Sequence, residues 1–171
     1  MLKYTLCLIQ SGDRFLLLNR VKKPQMGMWN GVGGKIEIGE TPFESVHRET
    51  FEETGIGLKE ITYAGNVVFK SKDGEDGMYL FMAELPEGEF KETPIGTAEG
   101  ILDWKEVDWI LHEDNRGVAA NLRAYLPAVL KGRLNLEHLF TYEQREIVDY
   151  TTAKIVEDEI NLEYSGPVGV S

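Results

Sequence analysis

The stretch Gly34-Lys35-Ile36-Glu37-Ile38-Gly39-Glu40-Thr41-Pro42-Phe43-Glu44-Ser45-Val46-His47-Arg48-Glu49-Thr50-Phe51-Glu52-Glu53-Thr54-Gly55-Ile56 decides how the rest of the chain is read. Thr41 suits a helix N-cap and Pro42 suits the first helical position. Glu44, three residues after the cap, completes a reciprocal capping box. Gly55 supplies the left-handed position that commonly ends a helix. The spacing therefore predicts a helix from Pro42 to about Thr54. At about 100° per residue, Phe43, Val46, Thr50 and Thr54 share a stripe that should pack on a sheet, while Glu49, Glu52 and Glu53 share another. Carboxylates at i, i+3 and i+4 come within reach of shared hard cations, and without cations they repel one another. Arg48 lies one turn before Glu52 and is placed to orient it. Three glutamates alone would more readily fit a solvated acidic helix face. The glycines just upstream, Gly31, Gly33 and Gly34, favour a site, because glycine lets the main chain approach a ligand or metal closely.

Outward from this segment, the apolar runs Tyr4 to Ile9 and Phe15 to Leu18 flank the turn-like Gln10-Ser11-Gly12-Asp13 and read as a hairpin. Ile61 to Phe69 and Met78 to Leu85 flank Lys72 to Gly77 and predict a second hairpin with a longer loop. A further strand is expected near Asp103 to Val107. Val118, Leu122, Tyr125, Leu126 and Val129 recur at helical spacing between Asn115 and Leu130, with Gly132 in a stop position. Leu136 to Ile155 should form two strands separated near Glu143 to Glu146. Strands and few helices in mixed order predict an α+β domain over residues 1–156, followed by an acidic tail over residues 157–171.

Composition narrows the function. Acidic residues number 29 against 18 basic, a formal charge of −11. Such a surface repels a phosphate backbone and argues against sequence-independent binding of nucleic-acid polymers. A phosphorylated small molecule would be repelled too unless cations intervened. The one cysteine, Cys7, lies in an apolar run and reads as a buried structural thiol. His47, His112 and His138 show no metal spacing. No apolar leader follows Met1 and no stretch is long enough to span a membrane, so a soluble, cytoplasmic protein is expected.

The quoted stretch resembles the box of the Nudix hydrolase family at Gly34, Glu40, Arg48, Glu49, Glu52, Glu53, Gly55 and Ile56. Thr50 departs from it, standing where the family usually has an aliphatic residue. Because Thr50 lies on the sheet-packing stripe, the departure touches packing more than metal binding. The resemblance implies the Nudix fold, an α/β/α sandwich with a mixed sheet and a loop-helix-loop site. It also implies attack of water on a nucleoside diphosphate derivative, with magnesium, or manganese in its place, held by Glu49, Glu52, Glu53 and the Gly34 carbonyl. Glu40 would lie near that cluster or brace its loop. For the general base the family offers two sources, the box itself, here Glu53 or Glu52, and a distal loop, where Glu99 is the candidate.

Tyr4-Thr5-Leu6, Trp29-Asn30-Gly31-Val32-Gly33-Gly34-Lys35 and Asp149-Tyr150-Thr151 are similar to segments of the MutT-type enzymes that act on oxidised purine nucleotides. That likeness implies a small-molecule nucleotide substrate such as 8-oxo-dGTP, with Asn30 reading the purine edge and Asn121 standing near a second base-reading position. It also implies Arg20 near phosphate, with Gly33 and Lys35 along the substrate. Other nucleoside diphosphate derivatives (a dinucleotide, a nucleotide sugar or an RNA cap) and a Nudix-fold binding module without turnover remain the alternatives. Phe69, Trp104 and Trp109 are expected in the core rather than at a base pocket.

Overall fold

The computed structural model describes residues 2–90 and 92–156; the acidic tail lies outside the described residues. The first hairpin forms as expected, from β1 (Tyr4–Ser11) and β2 (Arg14–Arg20), and is followed by the two-residue β3 (Trp29–Asn30). Helix α1 runs Pro42–Thr54, with Thr41 and Glu44 forming the capping box and Gly55 closing the helix at φ 74°. Strands β4 (Thr62–Ser71) and β5 (Gly74–Glu84) make the second hairpin. Its expected long loop is absent: pairing continues to Ser71↔Gly74, because backbone hydrogen bonding carries both strands through their polar ends.

Beyond this hairpin come β6 (Ile95–Gly96), β7 (Gly100–Glu106), the short α2 (Val107–Leu111), α3 (Ala120–Leu130), β8 (Leu136–Glu143) and β9 (Glu146–Lys154). The strand expected near Asp103 begins earlier and stops before Val107, which is already helical. The last helix starts five residues later than its periodicity suggests. Asn115 instead turns the chain, accepting from the Gly117 amide and donating to the Trp109 carbonyl.

The nine strands among the described residues join one sheet in the order β6-β7-β2-β1-β5-β4-β8-β9, with β3 alongside β2. Pairings β1–β5 and β4–β8 are parallel and the others antiparallel, so the sheet is mixed. Its faces carry separate cores. On one, Val46 and Phe43 of α1 meet Cys7, Ile9, Leu16, Leu18, Phe81 and Leu102. On the other, Ile110 of α2 and Leu122, Tyr125, Leu126 and Val129 of α3 cover Leu8, Phe15, Leu17, Leu80 and Phe140. This is the α/β/α sandwich. Thr50 is fully buried on the α1 face, as its helical phase predicts. Cys7 is buried beside it, and burial pushes its thiol up to about 12 against a smaller pull from the Thr50 hydroxyl. Phe69 and Trp104 pack against the two cores, whereas Trp109 stays 40% exposed. Among the described residues no helix is long and apolar enough to cross a membrane.

Candidate active site

Glycine and carboxylate meet where the segment before α1 crosses β1. This segment is tied to β1 by hydrogen bonds from Thr5 N–H to the Gly34 carbonyl (2.9 Å) and from Cys7 N–H to the Val32 carbonyl (2.7 Å). The crossing lays Gly33 and Gly34 against α1. A side chain on Gly34 would run into the Glu49 carboxylate, so only glycine lets the two approach. The Gly33 amide donates to Glu53 Oε2 at 2.8 Å. The Gly34 carbonyl keeps a second lone pair free of the Thr5 bond.

Arg48 gathers the remaining carboxylates. Its guanidinium donates to Glu40 (2.6 and 3.0 Å), Glu49 (2.9 Å), Glu52 (3.2 Å) and the Lys35 carbonyl (3.1 Å). Glu40 also accepts from the Glu37 amide (2.9 Å), which makes it a brace for its own loop. The Arg48 bonds hold its carboxyl below the usual range. Glu49 and Glu53 behave oppositely. Burial raises both, Glu53 to about 7, where the charges of Glu49 and Glu99 push further and the Gly33 amide and Arg20 pull back. Among the described residues no three acidic, histidine or cysteine side chains already surround one point suited to an ion, since Glu40, Glu49 and Glu52 all turn to Arg48. The donor chemistry nonetheless fits a hard divalent cation. The oxygens come from carboxylates and a carbonyl, and the buried Glu53 carboxylate is held by an amide rather than a counter-ion, a charge that a cation would supply.

Other expected residues converge from the far side. Arg20 ends β2 opposite Gly100, and its charge and that of Glu99 are both felt at Glu53. The Arg20 Nε is buried without a partner among the described residues. Glu99 meets Lys22 at 3.6 Å; the lysine is exposed and the glutamate half-buried. The two asparagines differ. Asn30 is spent within its loop, accepting from the Gly31 amide (2.8 Å) and donating to Gln25 (3.0 Å). Asn121 is buried and accepts from the Leu122 amide (2.9 Å). Trp29, one residue before Asn30, donates through its amide to the Gly117 carbonyl and accepts from the Ala119 amide, which joins the glycine segment to the start of α3.

Sequence reading missed Lys22, and it missed Lys105, whose ammonium lies 4.4 Å over Trp29 and 4.9 Å over Trp109. The contacts of Lys22 with Glu99 and of Lys105 with Trp29 join distant segments that meet through β2 and its neighbours β3 and β7, so they leave no local signature.

The NUDIX domain profile matches residues 3–129. An uncharacterized Nudix hydrolase of Bacillus subtilis strain 168, YvcI, is 34% identical over 154 residues, covering 86% of this chain and 92% of its own. The oxidized purine nucleoside triphosphate hydrolase of Mus musculus is 27% identical over 154 residues, covering 89% of this chain and 94% of its own. Among solved structures, a MutT protein of Bacillus halodurans has a TM-score of 0.72 at 31% identity, covering 89% of this chain and 97% of that one.

Proposed function

The chain belongs to the Nudix family, and from that membership we propose that it hydrolyses oxidised purine nucleoside triphosphates such as 8-oxo-dGTP to the monophosphate and pyrophosphate, clearing them from the nucleotide pool. As a Nudix hydrolase it acts on pyrophosphate bonds. The observation that carries the substrate reading is the extent of the likeness: the mouse oxidised-purine enzyme aligns along 89% of this chain.

Glu49, Glu52, Glu53 and the Gly34 carbonyl are the residues that would hold magnesium, or manganese in its place. Such an ion, when bound, neutralises phosphate charge and lowers the pKa of water. The Gly33 amide fixes Glu53, and Arg48 aligns Glu49 and Glu52 on the same helix. Arg20, buried at its Nε and close to Glu53, supplies a fixed positive charge for a phosphate group. Gly33 and Lys35 would run beside the substrate. Glu99 is our choice of general base, because Glu53 is already engaged by the Gly33 amide while Glu99 is half-buried and only loosely paired. Asn121, bonded through its oxygen to the Leu122 amide, is our choice of purine reader over Asn30, which would first have to release Gln25.

The test is pyrophosphate release from a panel of oxidised and plain nucleoside triphosphates with magnesium. An oxidised purine should lead the panel, and Asn121→Ala should shrink its lead over pyrimidines. Equal rates for all triphosphates, or turnover only of dinucleotides, nucleotide sugars or capped RNA, would reject the substrate. Silence on every compound would favour a binding module.

A further inference from the structure

The turn that carries Glu99 is built against the natural twist of a hairpin. Strands β6 and β7 pair Ile95↔Leu102 and Gly96↔Ile101, and of the four residues between them Thr97 and Gly100 also bond to each other, which leaves Ala98 and Glu99 as a two-residue connection. Its ends are closed by Thr97 N–H to the Gly100 carbonyl (2.7 Å) and Gly100 N–H to the Thr97 carbonyl (3.3 Å). Two-residue hairpins favour turns with positive φ at their first central residue, because that twist matches the strands. Neither Ala98 nor Glu99 has positive φ.

The mismatch is absorbed at two points. Gly100 takes φ 149° and presses on Asn19, so a side chain there would run into the Asn19 carbonyl. The Thr97 hydroxyl meanwhile donates to the Gly100 carbonyl (3.0 Å) and accepts from the Glu99 and Gly100 amides (3.2 Å each). Val21 N–H to the Glu99 carbonyl (3.1 Å) ties the turn to the end of β2, beside Arg20.

We propose that Thr97 is the positioning residue for Glu99: its hydroxyl bonds the Glu99 amide directly and so sets the backbone from which that carboxylate reaches the α1 site. The proposal rests on the reading of Glu99 as general base. Its physical basis is geometric. A base displaced by about 1 Å loses on the order of a hundredfold in rate, and a turn of the wrong twist relaxes once its internal brace is removed.

The experiment measures kcat and KM for the fastest triphosphate of the panel, with melting temperatures, in Thr97→Val, Thr97→Ser, Glu99→Gln and the double variant Thr97→Val/Glu99→Gln. Thr97→Val should lower kcat by roughly tenfold with KM within about twofold, and Thr97→Ser should return it to within about threefold of wild type. In the Glu99→Gln background Thr97→Val should cost nothing more, because the group it positions has gone. An unchanged kcat in Thr97→Val, an equal loss in both backgrounds, or a loss that follows the melting temperature and is not restored by serine would overturn the positioning role. Wild-type kcat in Glu99→Gln would overturn the base assignment itself and the proposal with it. A deficient Glu99→Gln beside a fully active Thr97→Val would overturn the proposal alone.

Discussion

The two faces of the sheet solve opposite problems. On the α1 face, charged groups are brought close and bonded: Arg48 holds three carboxylates, and the Gly33 amide holds Glu53. On the α3 face, packing is apolar and its few polar atoms are sealed in. Tyr125 is fully buried with its hydroxyl unpartnered among the described residues, and so is Nε2 of His138, whose Nδ1 lies 2.8 Å from the Tyr150 hydroxyl. Buried like charge is a cost that a catalytic site tolerates for its chemistry. A buried aromatic core contributes stability directly. Damage to one face should therefore appear in turnover, and damage to the other in the melting transition.

The largest expected effect tests the α3 face. Tyr125→Ala should destabilise the fold by about 3 to 5 kcal/mol, as large-to-small changes of buried aromatics do. The exposed Phe51 of α1, changed to alanine, should stay within about 0.5 kcal/mol. Denaturant unfolding checks both, and similar costs for the two would remove the division of labour.

Next is Glu53→Gln, which should cut turnover at saturating magnesium by at least about a hundredfold, since even partners outside the ligand shell cost 10- to 100-fold when lost. Its melting temperature in chelator should stay level or rise, because a buried, partly repelled carboxylate is neutralised. Near wild-type turnover would remove Glu53 from the metal set.

The faces should also titrate with opposite sign. Glu53 is raised to about 7 by burial, so below that pH the native state binds a proton that the unfolded chain refuses until its ordinary range. Metal-free protein should gain stability from this group as pH falls from about 7 toward that range. His138 is lowered to about 4 by burial, with Arg133 adding to the effect. Between its ordinary 6.5 and about 4 the unfolded chain takes the proton first, so stability from this group is lost as pH falls. Stability measured against pH in chelator should lose its gaining limb in Glu53→Gln and its falling limb in His138→Phe. A variant that leaves its own limb intact refutes that assignment.

The smallest effect is expected for Thr50→Val, which should cost less than about 1 kcal/mol and leave kcat intact, because the residue packs on the sheet and its hydroxyl has no partner of good geometry. Loss of activity at full stability would bring Thr50 into the site.

Legibility followed the same division. Every boundary signal of α1 is local: Thr41, Glu44 and Gly55 act within one turn of their own positions, and the structure keeps the helix at Pro42–Thr54. Helix α3 has no side-chain cap and contains Pro127, so periodicity exposed its buried stripe but not its start. The polar loop expected at Lys72 to Gly77 proved largely to be strand, because cross-strand hydrogen bonds outweighed local composition. Asn30 carried the motif position, and only the structure shows its amide bonded to Gln25 and Gly31.

From the sequence by itself came the box, its helix, the three glutamates on one side of it and the family they indicate. These depend on intervals of three and four residues, which an α-helix converts directly into neighbours. Only the tertiary structure decided that Glu99 and Arg20 approach Glu53, that Arg48 binds Glu40 across its loop, and that Thr97 braces the turn beside them. Those contacts require β2, β7 and α1 to meet through one sheet, and strand pairing between distant segments leaves no periodic mark in the chain.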